Sequence, residues 1–214
     1  QTLGASWLEE VVVSVNAQDP DIVVITGDLV DGVVEEVGEI VSVLANLESR
    51  HGVFFVTGNH EYYYGAEAWM DKLEQLGIVV LLNSHCVVKR GNAQVLVAGV
   101  ADWDAGRFSP EHASDAARAL RGAPDVDFKL LLAHQPRSAP AASKAGFDLQ
   151  LSGHTHGGQI FPFHLLVPMQ QPFRQGLHRL GDMQIYVSRG TGYWGPPIRL
   201  GAPSEISVLE LTEA

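Results

Sequence analysis

The sequence lacks paired cysteines, since Cys86 is the only cysteine among 214 residues. One thiol cannot form an internal disulfide, and a structural zinc site built from several cysteines is excluded for the same reason. Long apolar runs are also missing, because no uninterrupted apolar stretch approaches the roughly 18–20 residues that span a bilayer. We therefore expect a water-soluble chain, and the cysteine usage leaves its compartment open.

Basic residues are scarce. There are 14 lysines and arginines against 25 aspartates and glutamates, which gives a formal net charge of −11. A charge of this sign repels polyanions unless metal ions or a local basic patch reverse the field. Binding to extended nucleic acid is therefore disfavoured.

The sequence begins with Gln1 instead of Met, and its start does not resemble a signal peptide. We expect that it begins inside a longer polypeptide, with room upstream for a membrane anchor or an export signal. Hydrophobic residues make up 46% of the sequence, which suffices for a substantial core. We expect residues 1–214 to form one domain.

Apolar spacing predicts an α/β fold. Continuous or β-branched apolar runs predict strands at 22–25, 53–56, 79–82, 95–100, 129–132, 149–151, 185–187 and 206–209. Helical spacing predicts helices at about 6–17, 37–47, 69–76 and 109–120, the first opened by a capping box from Ser6 to Glu9 and the last by Ser109-Pro110. Strands that follow one another without a helix, near 80–100 and toward the C-terminus, indicate mixed sheets.

Residues 161–180 are apolar without a clear period and are interrupted by prolines. One interpretation is a long loop packed on its own domain. The other is a lip beside a functional site that faces substrate or a membrane, and its aromatic and aliphatic side chains suit a lipid-like leaving group.

Polar side chains that can bind metal or transfer protons follow several predicted strands. They are Asp28, Asn59, His60, His134, His154 and His156. Ligands of open α/β sheets sit beyond the carboxyl ends of the strands, so these residues are expected to converge. A single histidine at such a position is usually structural, but six such residues together favour a common site. Glycine precedes three of them, which permits close approach of the backbone.

The predicted ligand set contains oxygen and imidazole nitrogen but no thiolate. Such sets suit manganese, iron, zinc or similar divalent ions, and a carboxylate such as Asp28 can bridge two of them. Two ions about 3.5–4 Å apart can hold the attacking and leaving oxygens of an in-line displacement at phosphorus. His60, next to Asn59 but pointing elsewhere, is our candidate for the proton donor to the departing oxygen.

Four blocks in this order resemble those of the calcineurin-like metallophosphoesterases. They are Gly27-Asp28-Leu29-Val30-Asp31-Gly32, Gly58-Asn59-His60-Glu61, His134 and Gly153-His154-Thr155-His156. The similarity extends along nearly the whole chain and is greatest to a bacterial phosphodiesterase branch whose members often carry a membrane anchor or an export signal. It implies a four-layer α/β/β/α sandwich with two mixed β-sheets.

The resemblance also implies roles for the residues. Asp28 would bridge two metal ions, Asn59, His134 and His154 would complete the ligands of one, and His156 would bind the other. His60 would act as the acid or stabilise the transition state. The purple acid phosphatase branch is disfavoured, because it places a tyrosine ligand three residues after the bridging aspartate, where this chain has Asp31.

One block of the family is missing. The family opens with an Asp-x-His block at the end of its first strand, and only the five residues from Gln1 to Ala5 precede the first predicted helix here. We therefore expect truncation upstream of Gln1, with the first strand lost. For this chain alone we expect asymmetric metal occupancy, with one ion retained at the Asn59, His134 and His154 site.

Other polar residues receive weaker interpretations. Asp102 and Asp104 are expected in a solvated turn, and Arg189 in a structural hydrogen bond instead of a contact with substrate phosphate. The tyrosines at 62–64 fit a pocket wall and simple packing equally well.

The leading hypothesis is a metal-dependent phosphoesterase that hydrolyses phosphodiesters or pyrophosphates instead of phosphoproteins. Its substrate would be a small phosphoester or a lipid-linked phosphate, with membrane association possible for the full-length protein. The alternative is a noncatalytic binding or scaffold domain that keeps a metal for stability. A metal-dependent amidohydrolase is disfavoured because Asn59-His60 suits phosphate better. The fold itself does not identify a substrate.

Overall fold

The structure is a computed structural model and describes residues 3–212. Three short parallel strands form a first sheet, in the order β1 (Val23–Ile25), β2 (Val53–Phe55) and β3 (Val79–Val80). Helices around this sheet are α1 (Ala5–Asn16), α2 (Val34–Val41), α3 (Asn59–Tyr63) and α4 (Ala66–Gln75). A 3₁₀ helix at Ser42–Asn46 continues α2. This half of the chain alternates strand and helix, as the apolar spacing predicted.

Six strands form the second sheet. In chain order they are β4 (Ser84–Arg90), β5 (Ala93–Gly99), β6 (Phe128–Leu132), β7 (Leu149–Ser152), β8 (Gly176–Leu180) and β9 (Met183–Val187). Their spatial order is β4-β5-β6-β7-β9-β8. The four inner strands are parallel, and β4 and β8 pair antiparallel at the two edges. The short helices α5 (Ala116–Ala119) and α6 (Ala139–Ala145) belong to this half.

Apolar clusters define four layers. Between the sheets, Phe54 of β2 packs in one cluster with Leu130 of β6. The next residue of β2, Phe55, points to the opposite face and packs with Trp69 of α4. Leu131, the next residue of β6, packs in a third cluster with residues of α5 and α6. Since successive side chains of a strand alternate between faces, this arrangement is helix, sheet, sheet, helix, and the expected α/β/β/α sandwich is confirmed.

The smaller sheet differs from the expected mixed type, because its three strands are all parallel. Most of the other differences between the predicted and the observed strands concern the edges of the second sheet. Strands β4 and β8 were not predicted, since an edge strand with one partner carries more polar residues and shows a weaker apolar pattern. The apolar run at 206–209 was predicted as a strand but forms none, and Val208 in it is 66% exposed.

Helix ends also differ from the predictions. Helix α1 begins after Gly4, and no side chain caps it, so the predicted capping box at Ser6 is wrong. The predicted helix at 109–120 is broken into a 3₁₀ turn at Pro110–His112 and α5, where the Asp115 carboxylate accepts a hydrogen bond from the backbone N–H of Arg118. Among residues 3–212, no helix combines the length and apolar content needed to cross a bilayer.

Candidate metal centre

The candidate site lies at the carboxyl ends of strands from both sheets. Asp28 follows β1, and Asn59 and His60 follow β2, in the first sheet. His134 follows β6, and the segment containing His154 follows β7, in the second sheet. Two parallel strand pairs therefore direct their ends into one region, as expected for ligands beyond the carboxyl ends of an α/β sheet.

Asp28, His134 and His154 form the compact part of the site. The Asp28 Oδ2 atom lies 2.9 Å from His134 Nε2, which lies 3.0 Å from His154 Nδ1. The three potential ligand atoms are all within 4.8 Å of one another. The other nitrogen of His134, Nδ1, is 2.7 Å from the carbonyl oxygen of Thr26, so Nδ1–H donates there and Nε2 faces Asp28.

Asn59 and His60 approach this group from the start of α3. The backbone N–H of His60 donates to Asp28 Oδ1 over 2.9 Å. The ring of His60 hydrogen-bonds through Nδ1 to Asp31, and its Nε2 is 4.0 Å from Asp28 Oδ2. The Asn59 Oδ1 atom is buried and has no hydrogen-bond partner among residues 3–212. A buried amide oxygen without a donor is costly, and a cation can satisfy it.

His156 stands apart from the compact group. It lines the same cleft, but its Nδ1 atom lies 3.0 Å from Nη2 of Arg199. The same guanidinium donates to the carbonyl oxygens of Gly192 and Ala202. The Nδ1 atom of His156 is thus directed at a guanidinium, and His156 is not part of the compact group.

The cleft has a volume of about 220 Å³. Asp28, Asn59, His60, His154 and His156 line it from the strand ends. On the other side it is bordered by Val167, Gln170, Gln171 and Trp194. The segment at 161–180 therefore forms one wall of the cleft, as one of its two interpretations expected.

Strained backbone and closely packed glycines bring the ligand loops together. Asp28, His154 and His156 have φ values of 53°, 67° and 48°, in the left-handed region that side chains other than glycine rarely adopt. A Cβ atom on Gly58 would lie 2.2 Å from Asp28 Oδ1, and one on Gly27 would lie 2.4 Å from the Gly58 nitrogen. Only glycine allows the two loops this approach. Backbone strain of this kind often concentrates at functional sites.

Glu61 was missed as a site residue, although it stood in one of the motifs. Its side chain is fully buried and accepts hydrogen bonds from the backbone N–H groups of Asp28, Leu29 and Gly58, at 3.0, 2.7 and 2.6 Å. It thereby ties the β1 loop to the β2 loop. Its position three residues after Gly58 has the spacing of a capping box, which was the available signal.

Burial and neighbouring charges leave two histidines of the site neutral near pH 7 and favour a proton on the third. Burial opposes charge on His134, but the Asp28 carboxylate outweighs burial and raises the pKa of His134. Burial and the charge on His134 lower the pKa of His154 to about 3. Burial and Arg199 lower the pKa of His156 to about 4. His154 and His156 are therefore neutral near pH 7, the state in which imidazole binds metals.

Asp102 is buried, so the expected solvated turn is wrong for this residue. Its carboxylate accepts hydrogen bonds from the side chain of Gln135 at 2.9 and 3.2 Å and from the N–H of Asp104 at 2.9 Å. The Gln135 side-chain oxygen in turn accepts a hydrogen bond from Gln171 at 3.0 Å. Burial raises the pKa of Asp102. The polar network thus connects the residue after His134 to the cleft wall, a link that sequence periodicity does not show.

The structure shows the contacts of three side chains for which the sequence supported only weak interpretations. Arg189 forms an ion pair with Glu205, so it makes a structural contact as expected. Tyr62 is buried and belongs to a small core cluster. Tyr63 is exposed, and its ring centroid lies 5.4 Å from that of His60. The tyrosines after His60 therefore divide between packing and the rim of the site.

The side chains present fit a divalent metal ion. Asp28 offers a carboxylate, His134 and His154 offer imidazoles, and Asn59 offers a buried amide oxygen without a donor. Mixed nitrogen and oxygen donors without thiolate suit manganese, iron or zinc. Asp28, His134 and His154 are thus a candidate ligand group for one ion, whereas His156 lies against Arg199.

Comparisons with known proteins agree with this arrangement. A family model described as calcineurin-like phosphoesterase matches residues 5–158. A Helicobacter pylori protein described as an uncharacterized metallophosphoesterase is 44% identical over 211 residues, which are 98% of this chain and 56% of that protein. A zebrafish (Danio rerio) protein described as a transmembrane protein with metallophosphoesterase domain is 39% identical, over 100% of this chain and 51% of that one.

Among solved structures, calcineurin-like phosphoesterase YfkN from Bacillus subtilis has a TM-score of 0.57 and 16% identity, over 85% of this chain and 72% of that chain. This likeness concerns the fold alone. The chain spans only 56% and 51% of the two relatives above, so each of them contains further sequence outside the matched part.

Proposed function

Because the chain belongs to the calcineurin-like phosphoesterases, we propose that it is a metal-dependent hydrolase that cleaves phosphodiesters or pyrophosphates. The observation that carries the proposal is the compact group of Asp28, His134 and His154 beside the unsatisfied oxygen of Asn59, on an open cleft. Carboxylate, imidazole and amide donors in a cleft suit metal-assisted chemistry at phosphorus.

We assign the ligands as follows. Asp28, Asn59, His134 and His154 would hold one ion, and His156 together with Asp28 would hold part of a second site. Bound divalent ions polarise a phosphoryl group and lower the pKa of bound water toward about 7, which supplies the nucleophile. Manganese, iron and zinc all suit this donor set.

His60 is the proposed proton donor. Its Nδ1 atom is held by Asp31, and its Nε2 atom is directed toward the cleft, 4.0 Å from Asp28 Oδ2. In the protonated imidazolium, Nδ1–H donates to Asp31 and Nε2–H is available to the oxygen that leaves phosphorus. Asp31 therefore orients the ring, as second groups commonly do for catalytic histidines.

The substrate would be a small phosphoester or a phosphate linked to a lipid. The outer wall of the cleft supports this choice, because Val167 and Trp194 line it and can contact an apolar leaving group. The matched relatives are longer than this chain, and the zebrafish relative is described as a transmembrane protein. We therefore propose that the whole protein is associated with a membrane.

The test is hydrolysis of a chromogenic phosphodiester with added manganese. We expect turnover by the unmodified chain and a loss of about 10²–10⁴-fold in His60→Ala, the range typical of general acid catalysis. His51→Ala is the matched control, because His51 precedes β2 while His60 follows it. Equal rates in all three proteins would contradict the role of His60.

A noncatalytic domain that is stabilised by metal is the second candidate. The observation in its favour is that His156 faces Arg199 instead of joining the compact ligand group. This candidate predicts that manganese raises the melting temperature while no phosphodiester or pyrophosphate is hydrolysed. Turnover that disappears in Asp28→Asn would exclude it.

A further inference from the structure

Large apolar side chains are exposed on the segment that borders the cleft. We call five of them the apolar rim, and each is between 54% and 80% exposed: Phe161, Phe163, Leu165, Leu166 and Met169. They lie on two short 3₁₀ turns and the residues beside them. Soluble proteins rarely expose so many large apolar groups together unless the surface binds something.

The exposed surface continues onto the segment at 194–200. The Phe161 N–H donates to the carbonyl oxygen of Leu200 over 3.0 Å, and Leu200 is 55% exposed. Trp194, which is 56% exposed, is held by the side-chain amide of Gln159 through hydrogen bonds of 2.8 and 2.9 Å to its backbone. The apolar rim and these two residues therefore form one surface.

The rim segment is fixed to the site by hydrogen bonds that follow Met169. The Gln171 side chain donates to Gln135 and accepts from the backbone N–H of Arg137, at 3.0 and 3.1 Å. A few residues further on, the Thr155 hydroxyl donates to the carbonyl oxygen of Arg174 over 2.6 Å. These hydrogen bonds thus anchor the chain directly after the rim to the loops that follow β6 and β7.

The charge of this region is opposite to that of the rest of the chain. Residues 161–181 contain two arginines, Arg174 and Arg179, and no acidic residue, although the whole chain carries −11. Arg174 lines a small pocket together with Phe161, His164 and Leu200. Within residues 3–212, Arg174 takes part in no salt bridge. An apolar surface with a cation at its edge complements the interface of an anionic bilayer.

The rim also adjoins the candidate metal centre. Val167, between Leu166 and Met169, lines the same cleft as Asp28, and so does Trp194. A flat surface that contacts the rim would therefore lie across the mouth of the cleft.

We propose that the apolar rim inserts into the interface of a bilayer that contains anionic lipids, with Arg174 at the level of the head groups. Burial of each leucine or phenylalanine side chain of the rim strengthens binding about tenfold or more. Attraction of Arg174 to anionic head groups adds a contribution that salt weakens. This inference rests on the proposed membrane association and specifies the surface that makes it. The binding step needs no metal and no catalysis, so its failure would leave the proposed hydrolysis untouched.

The test is sedimentation of the 214-residue chain with vesicles of phosphatidylcholine, with and without phosphatidylglycerol. We expect binding to the anionic vesicles, weaker binding to the neutral ones, and release at high salt. Leu165→Ser/Leu166→Ser should lower binding at least roughly tenfold. Val13→Ser is the matched control, since Val13 is 67% exposed on α1, outside the rim. Arg174→Gln should remove the preference for anionic vesicles.

Three results would overturn the proposal: no binding of the unmodified chain, equal binding of the double variant, or a dimer of the unmodified chain that the double variant abolishes. A second measurement tests insertion in a way that does not depend on whether the double variant folds. Brominated lipids should quench the fluorescence of Trp194, and the quenching should disappear in Trp194→Phe. The double variant should also keep its activity on a soluble chromogenic diester, which separates loss of docking from loss of catalysis.

Discussion

The two halves of the candidate metal centre are held in different ways. In the inner half, Asp28, His134 and His154 contact one another directly, and the Asn59 oxygen has no competing donor. In the outer half, His156 contacts Arg199 instead of another ligand. The inner half is therefore preorganised for an ion, whereas the outer half must first give up a contact between His156 and a guanidinium. We expect one ion to bind more tightly than the other for this reason.

The largest expected effect comes from Asp28→Asn, because this substitution removes the one carboxylate that both halves would share. Phosphodiester hydrolysis should fall by roughly a thousandfold, since metal catalysis contributes several kcal/mol to the barrier. Steady-state rates with saturating manganese measure it. The control is Asp71→Asn on the exposed surface of α4, which changes the net charge equally. Comparable rates for the two variants would contradict the assignment of Asp28 as a metal ligand.

Two substitutions, His154→Ala and His156→Ala, test whether the inner and outer halves of the site bind metal with different affinities. Loss of His154 should weaken the tighter ion by about 100-fold or more, while loss of His156 should leave that ion bound and affect the weaker one. Calorimetric titration with manganese measures both affinities. Two equally tight ions in the unmodified chain, or equal losses in the two variants, would show that the halves do not differ.

Gly58→Ala tests the close contact of the two ligand loops. The added Cβ would lie 2.2 Å from Asp28 Oδ1, so we expect a loss of about 3 kcal/mol in the free energy of unfolding, the upper range of overpacking costs. Gly4→Ala is the control, since no atom lies within 4 Å of its added Cβ. Urea denaturation followed by circular dichroism gives both values, and a difference near zero would contradict the packing argument.

Glu61→Gln has the smallest expected effect of the four. The amide nitrogen of glutamine cannot accept from the backbone donors of Asp28, Leu29 and Gly58, so about 2 kcal/mol of stability should be lost. Because Glu61 positions the inner half, affinity for manganese should also decrease in a chelator competition assay. Glu67→Gln, on the exposed face of α4, is the control for both measurements. Unchanged metal affinity would limit Glu61 to a purely structural role.

The sequence alone was sufficient to predict the α/β class, the sandwich and the convergence of Asp28, His134 and His154. The class and the convergence were predictable because buried strands have continuous apolar runs and because their carboxyl ends meet at one edge, so the residues that follow each run converge wherever they lie in the chain. The sandwich was implied by the resemblance of the four motif blocks to a known family. The motifs also pointed to the family, which the comparisons confirmed.

Tertiary structure decided the rest. The hydrogen bonds of Glu61 to Asp28 and Leu29, the contact between Arg199 and His156, and the hydrogen bonds between Gln135 and the buried Asp102 join residues that are distant in the sequence and follow no period. The sequence left two interpretations of the segment at 161–180, a packed loop and an exposed lip, and only the packing of the other elements decides which apolar side chains stay uncovered. Periodicity reports which face of an element is apolar, but the partner that each polar or exposed group meets depends on how the elements pack.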